Sequence, residues 1–244
     1  MTSGASWHVA TVAAVGELTP NAGLITLDVP TWPGNDGGQH IDVRLTAEGG
    51  YQATRSYSLA SVGPSTRLQL AVDRVHNGEV SPYLVDELRA GDQLEIQGPL
   101  GGWFVWKPDS DPRPVQLIAG GSGVVPCIGM LRAHTAAASA TPMQLLYALR
   151  TPEDLFFADE LEAIGSQNSS ASVHFVFSRR TPEFWPDPPG RLSSATLDEF
   201  VIRPRLRPRL FVCGSTSFVE TVLAWLIELG HSSADIRAER FGGL

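Results

Sequence analysis

Residues 116–126 have the sequence QLIAGGSGVVP, in which an apolar run passes through a Gly-Gly-Ser-Gly turn into a segment of helical length. The apolar run predicts a buried strand, and the glycines predict a turn whose backbone N–H groups can approach a pyrophosphate. The predicted helix, Val124–Ala138, presents its positive N-terminal end at the same place. A tight turn without a ligand would use the same glycines. The strand–turn–helix context nevertheless favours a phosphate site over Gly120–Pro126.

The sequence that follows continues as an alternation of strands and helices. Strands are predicted at Val115–Ala119, Gln144–Ala148, Val173–Phe177, Leu210–Cys213 and Ile236–Ala238, with further helices at Asp154–Ile164, Ser194–Phe200 and Phe218–Leu229. This order is typical of an α/β domain with a parallel sheet and helices on both faces. Ligands of such sheets bind at the carboxyl ends of the strands.

The sequence before residue 110 has a different pattern, in which short runs typical of β-strands alternate with turn residues. Six strands are predicted: His8–Val15, Leu24–Val29, His40–Leu45, Arg55–Ser58, Leu68–Arg74 and Gln93–Gln97. One short helix is predicted over Ser81–Leu88, with Ser81 as its N-cap and Pro82 at its first position. This pattern predicts a six-stranded antiparallel β-barrel over residues 1–108. The Pro-rich segment KPDSDPRP (107–114) is then a linker to an α/β domain over 113–244.

Composition excludes several classes of protein. The chain has 244 residues, 43% of them hydrophobic, which is too apolar for a disordered chain, and its net charge of −8 disfavours a nucleic-acid binder. No apolar run approaches the ~18–20 residues of a membrane-spanning helix, and the start resembles no signal peptide, so we expect a cytoplasmic protein. Two cysteines cannot form a four-cysteine metal or iron–sulfur site within this chain. His40 and His76 are isolated, and no metal site is predicted.

Three segments carry candidate binding residues. Arg55 suits a phosphate, and Tyr57, on the same face of its strand, offers a flat ring to an aromatic cofactor. Ser58 points the opposite way on an ideal strand, and Gly78–Ser81 forms a second anion site where the short helix starts. At the other end of the chain, Glu239–Phe241 follows the last strand, where an aromatic ring could cover a ligand, although a frayed tail is the ordinary alternative.

Six short motifs follow one another along the chain: RSYS (55–58), GEVS (78–81), GPLGGW (98–103), GGSGVVP (120–126), VCGS (212–215) and ERF (239–241). In this order and spacing they resemble the ferredoxin–NADP reductase family over essentially the whole chain. The sequence is most similar to the stand-alone FAD-binding oxidoreductases of that family, which lack a fused ferredoxin domain. The resemblance implies a six-stranded flavin barrel followed by a nicotinamide-nucleotide domain.

The resemblance also implies roles for the barrel residues. Arg55 would hold the flavin phosphate, Tyr57 would pack on the isoalloxazine, and Ser58 would donate a hydrogen bond near its N5 atom. Gly78, Val80 and Ser81 would bind the FAD pyrophosphate, although FMN remains a less favoured alternative. Further cofactor-binding residues expected in this half are Ser56, Val72, Arg74 and Glu79.

In the second half, the glycine turn would hold the phosphates of the nicotinamide nucleotide. Cys213 would lie beside the nicotinamide C4 and the flavin N5, and Phe241 would shield the flavin until nicotinamide displaces it. Ser58, Cys213, Glu239 and Phe241 are thus the expected catalytic residues. The other expected nucleotide contacts are Gly121, Ser122, Gly123, Pro126, Arg150, Ser178, Arg179 and Gly214.

The residues after the third strand of this half bear on the choice of nucleotide. Ser178, Arg179 and Arg180 follow that strand, and no acidic residue occurs before Glu183. Because a 2′-phosphate is bound by arginine and a free 2′-hydroxyl by an acid, the segment favours NADPH, with NADH possible. A second basic run contains Arg203, Arg205, Arg207 and Arg209. It precedes a strand, so we interpret it as a solvated face at the amino ends of the sheet.

The function implied is transfer of a hydride from NADPH to bound FAD, followed by electron transfer to a separate partner. That partner would be a ferredoxin, an oxygenase or another metalloenzyme component. Residues 1–110 contain 12 acidic and 6 basic residues, which disfavours an acidic ferredoxin. Two alternatives stay open: a flavin reductase that releases free reduced flavin, and a non-catalytic reductase-like subunit. The GEVS motif favours bound FAD over the first of these.

Overall fold

The computed structural model describes residues 6–47, 49–108, 110–166 and 170–241. Its contacts divide the chain into two compact units. The first runs to Trp106 and includes Ile128–Ala133, and the second comprises Lys107–Cys127 and the chain from His134 onward. The limits 1–108 and 113–244 stay predictions.

The first unit is a six-stranded antiparallel sheet, as predicted. Its strands are β1 (Ser6–Thr19), β2 (Ala22–Asp28), β3 (His40–Thr46), β4 (Gln52–Ser58), β5 (Arg67–Asp73) and β6 (Gln93–Leu100), in the order β4-β3-β6-β1-β2-β5. Alternate residues of β2, among them Ile25 and Leu27, are buried in the core because successive side chains of a strand point to opposite faces. The outermost strands meet through a bridge between Leu59 and Leu70, which curls the sheet towards a barrel.

The predicted helix of this unit forms over nearly its expected length, but the predicted cap is wrong. Residues 81–82 are α-helical, and Tyr83–Glu87 continue as a π-helical turn that ends with a hydrogen bond from the Leu88 N–H to the Tyr83 carbonyl at 3.0 Å. Ser81 does not cap it, because its Oγ accepts from the Val75 N–H at 3.1 Å. The serine therefore fixes the preceding turn instead of the helix.

The second unit contains a five-stranded parallel sheet. Its strands are β7 (Val115–Gly120), β8 (Met143–Leu149), β9 (Ala171–Phe177), β10 (Arg209–Ser215) and β11 (Ile236–Phe241), in the order β11-β10-β7-β8-β9. Its helices are α1 (Val125–Ala136), α2 (Ala158–Ser166), α3 (Ser194–Phe200) and α4 (Thr216–Glu228). The predicted fold class, a flavin-type barrel followed by an α/β domain, is confirmed. In the part of the chain described, no helix is long and apolar enough to cross a membrane.

Helix boundaries follow local capping. Helix α3 has the predicted bounds, and the Ser193 side chain caps it by accepting from the Thr196 N–H. Helix α2 begins four residues later than predicted. Thr151 and Asp154 first close a separate short turn by a reciprocal capping box, which uses the acidic residue taken as the helix start.

Candidate functional site

Strand β4 directs Arg55 and Tyr57 to one face and Ser56 and Ser58 to the other, as strand geometry requires. Tyr57 is half-buried and packs against the barrel core. Burial raises the pKa of its hydroxyl to about 12, against the opposing effect of the Arg55 charge. The phenol is therefore neutral at physiological pH and its ring is held in place by packing.

Ser58 contains a buried polar atom that the fold leaves unpaired. Its side chain is buried, and its Oγ has no hydrogen-bond partner among the described residues. A buried hydroxyl without a partner costs about 1–3 kcal/mol, so such an atom suits a ligand that completes the hydrogen bond. Ser56 differs, because its hydroxyl donates to Asp42 Oδ1 on β3 at 2.5 Å. Of the two serines, only Ser58 has a hydroxyl free for a cofactor.

Arg55 is held by an acidic residue from the GEVS segment. Its Nη2 donates to Glu79 Oε2 at 2.7 Å, and its Nη1 donates to the Thr54 carbonyl at 2.8 Å. The Tyr51 hydroxyl donates to the other carboxylate oxygen of Glu79 at 3.2 Å. We call these three side chains the Tyr51–Glu79–Arg55 clasp. Tyr51 was not among the predicted site residues, although its position four residues before Arg55 would place both on one face of an extended strand.

The GEVS segment follows a tight turn. The Gly78 N–H donates to the Val75 carbonyl at 2.9 Å, and Asn77 has a φ of 62°. A Cβ on Gly78 would approach Ser81 Oγ and the Val75 carbonyl oxygen at 3.1 Å, so this turn leaves little room for a side chain. Within the described chain, the N–H groups of Glu79 and Val80 donate to no other residue. These amides can serve an anion, and the pyrophosphate role of Gly78, Val80 and Ser81 stays a prediction.

Three further barrel residues of the predicted site differ in what they present. The side chains of Val72 and Val80 are buried in the core, so only their backbone atoms could contact a cofactor. Arg74 is exposed, and its Nε donates to Asp86 Oδ2 at 2.8 Å. A phosphate at Arg74 would therefore have to share the guanidinium with that carboxylate.

In the second unit, packing explains most of the glycine turn. A Cβ on Gly123 would lie 2.4 Å from the Cys213 carbonyl oxygen, which forces a glycine where α1 begins beside β10. A Cβ on Gly120 or Gly214 would lie 2.9 or 2.7 Å from the ring of Phe218. Gly121 is different, because it is exposed, has a φ of +56°, and an added Cβ would meet no atom of the described residues within 4 Å.

The outward-facing part of the turn is therefore small. Gly121 is exposed and Ser122 half-buried, whereas Pro126 is buried in the first turn of α1. The glycine pattern thus reflects close packing between the turn, β10 and the ring of Phe218. The roles of Gly121, Ser122, Gly123, Pro126 and Gly214 in nucleotide binding stay predictions.

Two cysteines and a glutamate interact at the carboxyl end of β10. Cys213 is paired with Glu239 in the register of β10 and β11, and Cys127 in α1 interacts electrostatically with both. Burial raises the pKa of both free thiols, which are therefore protonated and poor nucleophiles. Burial also raises the pKa of Glu239 to about 7.

Cys127 was not among the predicted site residues. It lies 86 positions before Cys213, and only the adjacency of β7 and β10 brings the two together. In the described ranges, no three His, Cys, Asp or Glu side chains are arranged to hold a metal ion. This cluster consists of two buried, protonated thiols and one carboxyl whose pKa lies near 7.

The carboxyl ends of β8 and β9 bring two arginines together. The Arg179 N–H donates to the Arg150 carbonyl at 2.9 Å, and the Ser178 N–H donates to the Leu149 carbonyl at 2.9 Å. Both Arg150 and Arg179 are exposed, and neither guanidinium has a partner in the described structure. Arg180 instead pairs with Glu153, an acid that the local sequence after β9 did not reveal. The basic charge left for a phosphate therefore comes from Arg150 and Arg179.

The remaining sequence signals lie elsewhere in this unit. Phe241 ends β11 half-buried, opposite Ser215 in the register, and its role in shielding flavin stays a prediction. In the basic run that leads into β10, the exposed Arg203 pairs with Asp198 and the exposed Arg207 with Asp235. Arg209 is the first residue of β10 and is buried near Asp111, so the predicted solvated face is wrong for this residue.

Comparison with protein families matches both halves of the chain. Residues 14–105 match the model of the oxidoreductase FAD-binding domain, and residues 117–223 match that of the oxidoreductase NAD-binding domain. The fold and these matches define a two-domain oxidoreductase that uses a flavin and a nicotinamide nucleotide.

Known proteins identify the family. The chain is 32% identical over 218 residues to ferredoxin–NADP reductase B of Sorangium cellulosum, covering 84% of this chain and 85% of that protein. The glycine betaine monooxygenase reductase subunit of Chromohalobacter salexigens is 31% identical over 209 residues, 84% of this chain. The Amycolatopsis cytochrome P450 reductase GcoB superposes with a TM-score of 0.84 at 27% identity, covering 97% of this chain and 70% of that one. The chain belongs to the ferredoxin–NADP reductase family.

Several of these relatives are longer than this chain. The match spans 55% of the Chromohalobacter subunit and 68% of a Ralstonia reductase component of naphthalene 1,2-dioxygenase/salicylate 5-hydroxylase systems.

Proposed function

We propose that this protein takes a hydride from NADPH onto bound FAD and passes the electrons to a separate redox partner. The observation that carries the proposal is the buried Ser58 hydroxyl, which has no hydrogen-bond partner among the described residues. It offers a hydrogen bond to a ring cofactor, and Tyr57, the preceding residue of β4, offers a flat half-buried ring from the other face of the strand. FAD, when bound, accepts electrons in pairs from a nicotinamide and can release them singly.

The residues of the barrel suit a flavin in other respects as well. Arg55 supplies a cation for the phosphate, and the N–H groups of Glu79 and Val80 are open to a second anion. The protonated thiol of Cys213 takes no part as a nucleophile. The Glu239 carboxyl can hold or release a proton near neutral pH.

Preference for NADPH over NADH follows from Arg150 and Arg179. Two exposed guanidiniums on neighbouring loops, without carboxylate partners in the described structure, suit a 2′-phosphate. Ser178, whose backbone is fixed by the Leu149 carbonyl, can add a hydroxyl. Glu153 is engaged by Arg180 and so is not free to hold the hydroxyls of a ribose.

The names of the relatives support an oxygenase or ferredoxin as the electron acceptor. The glycine betaine monooxygenase reductase subunit and the reductase component of naphthalene 1,2-dioxygenase systems are named for oxygenases. We propose a partner of this kind, a metalloenzyme or ferredoxin supplied by another chain. A cytoplasmic location belongs to the same proposal and agrees with two buried, free cysteines.

Anaerobic stopped-flow mixing of the purified holoprotein with NADPH and with NADH tests the proposal. We expect flavin absorbance to bleach faster with NADPH by about tenfold or more, since charge-assisted contacts to one phosphate contribute roughly 1.5–3 kcal/mol. Chromatography of the extracted flavin should give FAD. Arg179→Ala should abolish most of the difference by slowing the NADPH reaction alone.

Other outcomes would select the alternatives. Equal rates with both nucleotides would remove the NADPH preference and leave the enzyme class. Purified protein without flavin, but with NAD(P)H-dependent reduction of added flavin, would indicate a free-flavin reductase. Bound flavin that neither nucleotide reduces would indicate a non-catalytic subunit.

A further inference from the structure

Arg55, the proposed ligand of the flavin phosphate, already forms an ion pair with a carboxylate of the protein. In the Tyr51–Glu79–Arg55 clasp, one carboxylate uses both of its oxygens, Oε2 for Arg55 at 2.7 Å and Oε1 for Tyr51 at 3.2 Å. A phosphate approaching Arg55 therefore meets a guanidinium whose charge is balanced and whose Nη2 already donates to another anion.

We propose that Glu79 competes with the flavin phosphate for Arg55, so that Glu79 and Tyr51 together set the affinity for phosphate-bearing flavins. The carboxylate holds Arg55 in the flavin-free protein and gives way when the phosphate binds. The inference rests on the proposed function, because it takes Arg55 as the phosphate ligand.

The exposure of the ion pair makes this exchange feasible. The side chains of Arg55 and Glu79 are 53% and 51% exposed. An ion pair so open to water contributes little to folding, so it can open at small cost. The FMN phosphate and the FAD pyrophosphate each carry about two negative charges against one on a carboxylate, and either can accept two parallel N–H bonds, which favours the exchange. Glu79 still repels that phosphate from nearby, and affinity is lower than Arg55 alone would give.

Tyr51 strengthens the competitor. Its ring is largely exposed, and its hydroxyl donates to Glu79. A hydrogen bond to the carboxylate favours the position in which Glu79 faces Arg55. Loss of that hydroxyl should therefore shift the balance towards the phosphate, by less than loss of the carboxylate itself.

Flavin titrations of the flavin-free protein test the proposal without any turnover. FAD, FMN and riboflavin are each titrated by fluorescence into the wild type, Glu79→Gln and Tyr51→Phe, and riboflavin has no phosphate. We expect Glu79→Gln to tighten FMN and FAD binding by about threefold to tenfold and Tyr51→Phe by about twofold, as for release of one exposed charge contact. Riboflavin affinity should stay unchanged in both variants.

A matched control removes the same charge elsewhere. Asp28 forms an exposed ion pair with Arg67 at 2.9 Å, and Asp28→Asn should leave the affinity ratio of FMN to riboflavin at its wild-type value. The proposal is overturned if Glu79→Gln leaves FMN affinity unchanged, weakens it, or shifts riboflavin equally. Arg55→Ala tests separately whether Arg55 binds the flavin phosphate. If this variant keeps the preference of the protein for FMN over riboflavin, Arg55 is not the phosphate ligand, and the proposed competition by Glu79 is then also wrong.

Discussion

Ser58 and Ser56 are two serines of one strand with opposite environments. The Ser58 hydroxyl is buried without a partner in the described structure, whereas the Ser56 hydroxyl donates to Asp42 at 2.5 Å. We expect Ser58→Ala to raise the unfolding free energy of the flavin-free protein by up to about 1 kcal/mol, because it removes an unpaired buried group. Ser56→Ala, the matched variant, should lower it by about 0.5–1 kcal/mol. Urea unfolding of both variants measures whether the free energy of unfolding rises or falls in each.

The same hydroxyl should matter in the opposite direction once flavin is bound. If Ser58 donates a hydrogen bond to the cofactor, Ser58→Ala should slow NADPH-dependent bleaching by roughly tenfold, the worth of one such bond. A variant that is less stable without flavin and bleaches at the wild-type rate would show that Ser58 is an ordinary core residue.

Glu239 makes stability depend on pH. Burial raises its pKa from the ordinary 4.5 to about 7. Between pH 4.5 and pH 7 the Glu239 carboxyl keeps a proton in the folded chain that it has lost in the unfolded chain. Its contribution to the free energy of unfolding is therefore complete below about pH 4.5 and is lost as the pH rises through about 7. Glu239→Gln mimics the protonated form. We expect it to match the wild type near pH 4.5 and to exceed it above pH 7.5 by at most about 3 kcal/mol.

Urea unfolding at several pH values checks this expectation. The gain of Glu239→Gln should grow with pH through the window that the raised pKa defines. A gain that is constant from acid to neutral pH would mean that the substitution acts through packing and that the carboxyl titrates normally.

At the scale of elements, the glycine turn between β7 and α1 is required mainly because the neighbouring elements pack closely against it. Gly123→Ala would place a Cβ 2.4 Å from the Cys213 carbonyl oxygen, whereas Gly121→Ala meets open space at a φ of +56°. We expect the first to lower the unfolding free energy by about 2–3 kcal/mol and the second by about 1 kcal/mol. If urea unfolding gave similar decreases in the free energy of unfolding for the two variants, this result would contradict the close approach of α1 to β10.

The elements themselves were largely predictable because their signals are local. Alternation in β2, with Ile25 and Leu27 buried, and the strand–turn–helix after Val115 depend only on neighbouring residues. Contacts between distant segments were not predictable in this way. Glu153 pairs with Arg180, Cys127 interacts electrostatically with Glu239, and the Ser81 hydroxyl accepts from the Val75 N–H instead of capping the helix. In each case the topology supplies a partner that the local sequence does not show.

The distribution of charge is a property of the whole molecule. The net charge is −8, and residues 1–110 contribute −6 of it. Bound FAD and NADPH would add further negative charge through their phosphates. An acceptor approaching this protein therefore meets a repulsive or attractive field according to its own sign, at distances set by the salt concentration.

Two small acceptors of opposite charge separate this field from the chemistry of electron transfer. With the NADPH-reduced holoprotein, we expect the rate of reduction of hexaammineruthenium(III), a cation, to fall by about threefold or more as salt rises from about 0.01 M to 0.3 M. The rate with ferricyanide, an anion, should rise over the same range because screening relieves repulsion. Salt dependences of the same sign for both acceptors would mean that the acidic surface does not govern encounter, and a basic partner would then have no electrostatic advantage over an acidic ferredoxin.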